Sequence, residues 1–238
     1  MFPEHFYFTG AGWLGYFVYI PIALFILGLL YWLLLRRIPK IAIRLILLII
    51  LSVPLLTFPL WEALSISYEA EKLCKEQGGL HIYKTVETDG FLGGWGIETA
   101  TKYGFSYVES GCGKYGRSKC RLTLKNDKEV REEIDEFTSR YHFSSEMYVK
   151  INDRFYFNQY YVEDRKTKEI LGELIIISIP LSYFDLIAHI PFLASPNSWA
   201  CGGEAPEQER YYDKLNKRYR YTFSDLIKAT LKPLKFEE

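Results

Sequence analysis

The chain has 238 residues, and its 29 Lys and Arg balance its 29 Asp and Glu. A formal net charge of zero argues against a general nucleic-acid-binding surface, which needs a basic footprint. The mean hydropathy of −0.05 averages a strongly apolar N-terminal segment with a polar remainder. The 176 residues after position 62 are enough chain for one domain with its own core.

The first 62 residues predict two membrane-spanning helices. Residues 11–35 contain no charged side chain, and a second apolar run covers Leu45–Trp61. A helix needs roughly 20 apolar residues to cross the hydrocarbon core, so each run is close to or above that length. We therefore expect a transmembrane helical hairpin, with spans at about residues 12–35 and 42–61 and the lipid bilayer as its first partner.

The short segment between the two runs predicts the orientation. It carries Arg36, Arg37, Lys40 and, directly before the second run, Arg44, whereas no Lys or Arg precedes the first run. Cytoplasmic loops carry the positive excess, so the N-terminus and residues 63–238 are predicted to be extracytoplasmic. A cleaved signal peptide is the alternative for residues 11–35, but the basic residues follow the run, the run is too long, and no Ala-x-Ala site follows it.

The segments after the hairpin predict short elements of both kinds. Glu62–Gln77 is helical in its periodicity, either continuing the second span or restarting beyond it, and Gly78-Gly79 predicts its end. Leu80–Val86 alternates like a strand, residues 89–96 form a glycine-rich loop, and short strands are expected at Tyr103–Glu109 and Arg121–Lys125.

The second half of the domain continues this mixture. We expect a helix at Asn126–Tyr141, then a hairpin of Arg154–Val162 and Ile170–Ile179 around the polar turn 163–169. The apolar run Leu174–Ile177 predicts a central strand covered on both faces. The expected fold after the hairpin is an extracytoplasmic α+β domain, residues 63–238, with a mainly antiparallel sheet.

The C-terminal third carries three further expectations. Residues 181–193 form an apolar, partly helical stretch for the core, with contact to a membrane surface or a partner as the alternative. A final helix is expected to begin near Ser224 and to stop at Pro233. Residues 211–221 interleave basic residues with tyrosines, which favours a solvated surface over binding to anionic head groups.

All four cysteines lie in the part predicted to be extracytoplasmic, where thiols oxidise. They are Cys74, Cys112, Cys120 and Cys201. Four cysteines allow three connectivities, and we favour Cys112–Cys120, which closes a small loop, with Cys74–Cys201, which closes most of the domain. Free thiols remain the alternative if the orientation is inverted. A zinc site is disfavoured, because there is no Cys-x-x-Cys pair and no His at ligand spacing.

The sequence carries no recognisable catalytic, cofactor-binding or metal-ligating motif. His5, His81, His142 and His189 are scattered, without an i, i+4 pair. There is no Gly-x-Ser-x-Gly elbow, and the glycine-rich segment lacks the Lys-Ser/Thr of a phosphate-binding loop. We therefore expect no cofactor and no enzyme activity.

One resemblance rests on two strings. Leu73–Val86, with its Cys-x3-Gly-Gly and Tyr-x-x-Val, and Val162–Glu173 followed by Cys201 resemble uncharacterised bacterial membrane-anchored or exported proteins. The match covers about a quarter of the exported domain, and the chain departs from it where Thr167-Lys168 replaces an expected Thr-Gly. The resemblance implies a bacterial origin, a cell-envelope location and a Cys74–Cys201 pair, and it carries no activity.

Two function classes follow from these expectations. The first is a protein of the bacterial inner membrane whose exported domain binds a protein partner or acts as an accessory subunit, with its sheet and glycine-rich loop as the contact face. The second is an envelope enzyme that acts on a cell-wall or lipid substrate without a recognisable motif. The first is favoured, because no cluster of nucleophile, base or paired carboxylates is evident.

Overall fold

The computed structural model describes residues 6–33, 35–94, 96–112, 118–126, 128–189, 199–202 and 222–234. The predicted basic segment 211–221, His5 and most of the Cys112–Cys120 loop lie outside the described residues. The chain forms two compact units. The first comprises residues 1–76 and 179–199, and the second comprises residues 77–178 and 200–238.

The first unit is built on two long apolar helices. They are α1, Gly10–Leu33, and α2, Ile41–Glu76, joined by a 3₁₀ turn at Leu35–Arg37. Both are long and apolar enough to cross a membrane, and the most apolar 18-residue windows are only 11% and 0% buried within the protein. The helix expected at Glu62–Gln77 is confirmed as the continuation of the second apolar helix.

A third, short helix completes this unit. It is α4, Tyr183–His189, in the stretch for which we expected partly helical structure; residues 190–198 lie outside the described part. Asp185 on α4 is completely buried, and its carboxylate accepts the backbone N–H of Thr9 at 3.1 Å and the Thr9 hydroxyl. Because Thr9 precedes the first residue of α1, the carboxylate lies at the positive end of the α1 dipole and stabilises it.

The second unit contains a nine-stranded mixed, mainly antiparallel sheet. The order is β1-β9-β8-β7-β3-β4-β5-β6, and β10 also pairs with β9. The strands are β1 Gly79–Ile82, β3 Gly90–Leu92, β4 Tyr107–Cys112, β5 Ser118–Lys125, β6 Lys128–Ile134, β7 Tyr141–Lys150, β8 Tyr156–Asp164, β9 Ile170–Ile179 and β10 Trp199–Cys201. A separate parallel pair joins β2, Val86–Thr88, to β11, Leu231–Pro233.

One face of this sheet carries the core. The helices α3, Ile97–Lys102, and α5, Phe223–Thr230, contribute Ile97, Ala100, Leu226 and Ile227 to the same buried cluster as Phe91, Val108, Val162 and Leu174 of the strands. The prediction that Leu174–Ile177 belongs to a central strand is confirmed, since β9 lies between β1 and β8. The mainly antiparallel α+β architecture is therefore as expected.

Several sequence predictions were wrong in detail. The helix expected at Asn126–Tyr141 is absent, and β6 occupies most of that segment, because residues 128–134 pair one by one with β5 in a regular antiparallel ladder. The strand expected at Leu80–Val86 is two strands, β1 and β2, that belong to different sheets. The glycine-rich segment is not only loop, because it contains β3, and α3 follows it.

The last helix also begins earlier than expected. Its N-cap is Thr222 rather than Ser224, and a capping box links the Thr222 side chain to the Asp225 N–H and the Asp225 carboxylate to the Thr222 N–H. The helix ends at Thr230, before Pro233, because Leu231 is already extended and pairs with Val86.

Candidate functional site

Around Glu173 the face of the sheet opposite the core is polar, and the strand register defines this area. Farther along β9 the same face carries the buried Ile177. Residues that are direct partners across a sheet point to the same face. Leu80, Leu174 and Tyr160 form one such row and belong to the core side. The next row along the strands therefore points the other way, and it consists of His81, Glu173, Tyr161 and Ser144. All four side chains are half-buried.

We call this surface the polar sheet face and define it by His81, His142, Gln159, Tyr161, Glu163 and Glu173. It spans four strands, β1, β9, β8 and β7, which adjoin one another in the sheet. These positions alternate along β8 with residues of the core side, because successive side chains of a strand point to opposite faces. Adjacent strands thus place six polar side chains on one continuous surface.

Glu173 is the centre of the hydrogen-bonding on this face. Its carboxylate accepts the hydroxyl of Tyr83 and, through its other oxygen, the side-chain amide of Gln159. The bond to Glu173 raises the pKa of Tyr83 to about 12, and desolvation and the negative charge of Glu173 act in the same direction. Tyr83 therefore remains a neutral donor at physiological pH, and the geometry of Glu173 is fixed.

A second polar pair lies on the neighbouring strands β7 and β8. The Nδ1 atom of His142 is 3.2 Å from a carboxylate oxygen of Glu163, and the Nζ atom of Lys168 lies 3.8 Å from the same oxygen. His142 and Glu163 are direct cross-strand partners, so the sheet itself fixes their distance. The polar sheet face thus offers imidazole, carboxylate, amide and phenol groups in fixed positions.

Glu109 lies on the same side of the sheet, but its side chain is fully buried. Its carboxylate accepts the backbone N–H of Thr138 at 2.9 Å and of Ser139 at 2.8 Å, and it pairs with Arg121 at 2.8 Å. Burial alone would raise the pKa of Glu109, but the hydrogen bonds from Ser139, Arg121 and Thr138 outweigh it and lower the pKa. The role of Glu109 is therefore structural: its hydrogen bonds hold the backbone of residues 138–139 against the sheet.

The two disulfide pairs lie elsewhere. Cys112 and Cys120 are bonded, with their Cα atoms 5.8 Å apart, across the β4–β5 hairpin. Cys74 and Cys201, the other two cysteines, are also disulfide-bonded, so none of the four is a free thiol. Neither pair adds a reactive group to the polar sheet face.

The remaining candidates from the sequence separate as follows. His81 and His142 come together on the polar sheet face, whereas His5 and the side chain of His189 lie outside the described part. The glycine-rich segment does not extend this face as a loop, because Phe91 is fully buried and Leu92 and Gly93 are buried beside it. Within the described residues, no three His, Cys, Asp or Glu side chains lie close enough to hold a metal ion.

Sequence reasoning did not identify the polar sheet face. The sequence feature that indicates this face is the presence of Gln159, Tyr161 and Glu163 at alternate positions of an aromatic-rich strand. That alternation becomes a surface only when the register places Glu173 and His81 beside it, and register is not readable from one strand.

No protein-family model, no curated protein and no solved structure matches this chain.

Proposed function

We propose that this protein is a membrane-anchored protein of the bacterial cell envelope whose exported sheet domain binds a protein partner, as a binding or accessory module. The anchor is α1 with the apolar part of α2. Side chains such as Phe25, Phe58 and Trp61 are each 73% exposed along these helices. In water, so large an apolar surface would drive aggregation, whereas in a bilayer it is the expected lipid contact.

The first unit also supports a retained anchor rather than a cleaved leader. A signal peptide leaves the mature protein, so its side chains have no folded role. Here Thr9 at the start of α1 is bonded to the buried Asp185, and the Tyr7 N–H donates to the buried Ser67 of α2 at 2.9 Å. Loss of α1 and the residues before it would remove Thr9 from Asp185 and Tyr7 from Ser67.

The proposed orientation places the sheet domain outside the cytoplasm. The turn between the helices carries the basic residues that resist translocation. The disulfide between Cys112 and Cys120 requires an oxidising compartment to persist. The basic turn and the disulfide are independent observations, and both favour an extracytoplasmic second unit.

The observation that carries the binding function is the fixed polar sheet face around Glu173. Tyrosine side chains present a large, rigid contact area and lose little conformational entropy on binding. They are therefore enriched in protein interfaces. Glu163 and Glu173 make the face acidic rather than basic, so it suits a protein partner with basic or hydrogen-bonding groups better than anionic lipid. A fixed face also lowers the cost of association.

A photo-crosslinking experiment tests this function in intact cells. A photoreactive amino acid at Tyr161, in the middle of the face, should give an adduct of one defined mass with one protein. The matched control is the same residue at Glu98, which is exposed on α3, on the core side of the sheet. We expect Glu173→Lys to abolish the adduct from position 161. An absent adduct, or the same adduct from position 98, would contradict the proposal.

A further inference from the structure

The sheet ends in an exposed strand with an unusual charge pattern. β6, Lys128–Ile134, is the last strand of the described sheet and pairs only with β5. Its sequence is Lys-Glu-Val-Arg-Glu-Glu-Ile, all of its residues except Ile134 are exposed, and the register with β5 is regular along its whole length. Such an edge presents unpaired backbone groups to any strand that fits it.

The register also shows which backbone groups point outward. Lys125 and Lys128 close the β5–β6 hairpin across a two-residue turn, and such a closing pair is hydrogen-bonded. Bonded and non-bonded pairs then alternate along an antiparallel ladder. Lys128, Val130 and Glu132 therefore direct their N–H and C=O groups toward β5. Glu129, Arg131 and Glu133 direct theirs away from the sheet.

A second copy of β6 matches this edge in one antiparallel register. With a two-fold axis at Val130, Glu129 of each copy lies opposite Arg131 of the other, and both have outward backbone groups that can bond to each other. Lys128 of each copy lies opposite Glu132 of the other as a non-hydrogen-bonded pair. The arrangement thus gives four opposite-charge pairs around a central Val130–Val130 contact, and Val130 is 37% exposed in the single chain.

The neighbouring registers do not match. An axis at Arg131 would place Arg131 opposite itself and Glu129 opposite Glu133. An axis at Glu132 would place Glu132 opposite itself and Glu129 opposite Asp135. Like charges directly opposite each other are destabilising. The charges of β6 would repel an arbitrary strand, but they are complementary to a second β6 in the register with the axis at Val130.

We propose that two copies of this protein associate through β6, antiparallel about Val130, so that their two sheets form one continuous sheet. The contact is isologous, as in most symmetric dimers, because the same residues serve on both sides. This inference uses neither the polar sheet face nor the membrane anchor, so it does not rest on the proposed function. It leaves the polar sheet face unblocked in each copy, because β6 lies at the opposite edge of the sheet.

Cysteine crosslinking of the full chain tests the register. The axis makes Val130–Val130 a non-hydrogen-bonded pair with Cα atoms about 4.5 Å apart, which a disulfide can bridge. The four native cysteines are already in disulfides, so Val130→Cys adds the one free thiol. In membranes under mild oxidation, we expect a reducible band at twice the mass of the 27.9 kDa chain. Glu132→Cys is the matched control, because position 132 lies roughly 13 Å from its copy.

Charge reversal then tests the pairing. Added to Val130→Cys, either Glu129→Arg or Arg131→Glu places like charges opposite each other twice, and we expect about a tenfold lower crosslinking yield. The combination Glu129→Arg with Arg131→Glu restores opposite charges and should restore the yield. Light scattering of the wild-type protein in nonionic detergent should give the mass of two chains.

The crosslinking and scattering results distinguish this pairing from a monomer and from a contact elsewhere. Crosslinking at position 130 but not at 132, with loss and rescue by the charge variants, supports the pairing. A wild-type protein that is monomeric in light scattering, together with a Val130→Cys variant that does not crosslink, overturns it and identifies the charges of β6 as protection against association. Equal crosslinking at 130 and 132, or a dimer that ignores the charge variants, also overturns it, because the copies would then meet elsewhere.

Discussion

The hydroxyl of Tyr19 on α1 donates to the backbone carbonyl of Leu55 on α2, at a distance of 2.7 Å. In a regular helix this carbonyl would accept from residue 59, but residue 59 is proline and has no N–H. Tyr16 donates to the next carbonyl, that of Leu56, at 3.1 Å. The Tyr19 hydroxyl therefore supplies the donor that Pro59 removes from the Leu55 carbonyl, and replacement of such a lost donor is a requirement for proline in a membrane span.

This relationship predicts that Tyr19→Phe destabilises the helix pair. The substitution leaves the Leu55 carbonyl without a donor, and we expect the free energy of unfolding in detergent to fall by about 1 kcal/mol. Combining it with Pro59→Ala is the control, because an alanine at that position supplies the missing N–H and should make the loss of the tyrosine hydroxyl nearly neutral. Equal effects of Tyr19→Phe with and without Pro59→Ala would show that the carbonyl is not what the hydroxyl serves.

A second prediction concerns two glycines at the start of α1. A Cβ atom at Gly12 would overlap the buried Asp185 carboxylate, whereas a Cβ at Gly10 would meet nothing within 4 Å. Gly12→Ala should therefore lower the free energy of unfolding by about 2 kcal/mol, since the carboxylate is held by Thr9 and cannot withdraw freely. Gly10→Ala is the matched control and should be neutral or slightly stabilising. Equal tolerance of both substitutions would mean that Asp185 does not cap α1.

The two long helices of the first unit and the β8–β9 hairpin could be predicted from the sequence, because each is indicated by residues that are close together in the chain. The apolar runs, the polar turn after Val162 and the run around Ile176 each carry their own period or composition. The cap at Asp185 could not be predicted, since it joins residues 176 positions apart. β6 was misread because Val130 and Ile134 are four residues apart, which suits a helix face, while an exposed edge strand has no apolar face to reveal its period of two.

The polar sheet face was not predicted for a related reason. His81, Gln159 and Glu173 are polar residues within apolar or aromatic segments, and each by itself indicates only a side chain that points away from the core. Their proximity depends on strand order and register, and both are set by the packing of the whole sheet. The covering of Glu109 by Thr138 and Ser139 depends on the same long-range order.

A pH dependence follows from Asp164. The Arg140 guanidinium, assisted against desolvation by the N–H groups of Lys166 and Thr167, lowers the pKa of this carboxyl from 3.8 to about 2. The folded state thus favours the ionised form, and this stabilisation is complete above the unfolded pKa and is lost as the pH falls from about 4 toward 2. Asp164→Asn should remove that part of the pH dependence, whereas Asp153→Asn, at a side chain 98% exposed, should leave it unchanged.

The measurement is the free energy of unfolding of these three proteins between pH 2 and about pH 6. The difference between wild type and Asp164→Asn should be constant above about pH 5 and should shrink at lower pH. A difference that stays constant down to pH 2 would contradict the role given to Arg140.

The turn after Asp164 gives a further prediction. Lys168 has a φ of +62°, a left-handed conformation that glycine adopts without strain. Lys168→Gly should raise the free energy of unfolding by about 0.5 kcal/mol, because relief of strain exceeds the entropy lost. Lys166→Gly, two residues earlier in the same turn, should lower it. If the two substitutions destabilise equally, the conformation at Lys168 carries no strain.

The orientation in the membrane is the central claim, because the location of the proposed contact face outside the cytoplasm depends on it. A reporter enzyme that is active only after oxidative folding outside the cytoplasm can be fused after Glu238 or after Lys40 in the full chain. The account predicts activity at Glu238 and none at Lys40, since the basic turn stays in the cytoplasm. Activity at Lys40 with none at Glu238 would invert the topology and contradict the account.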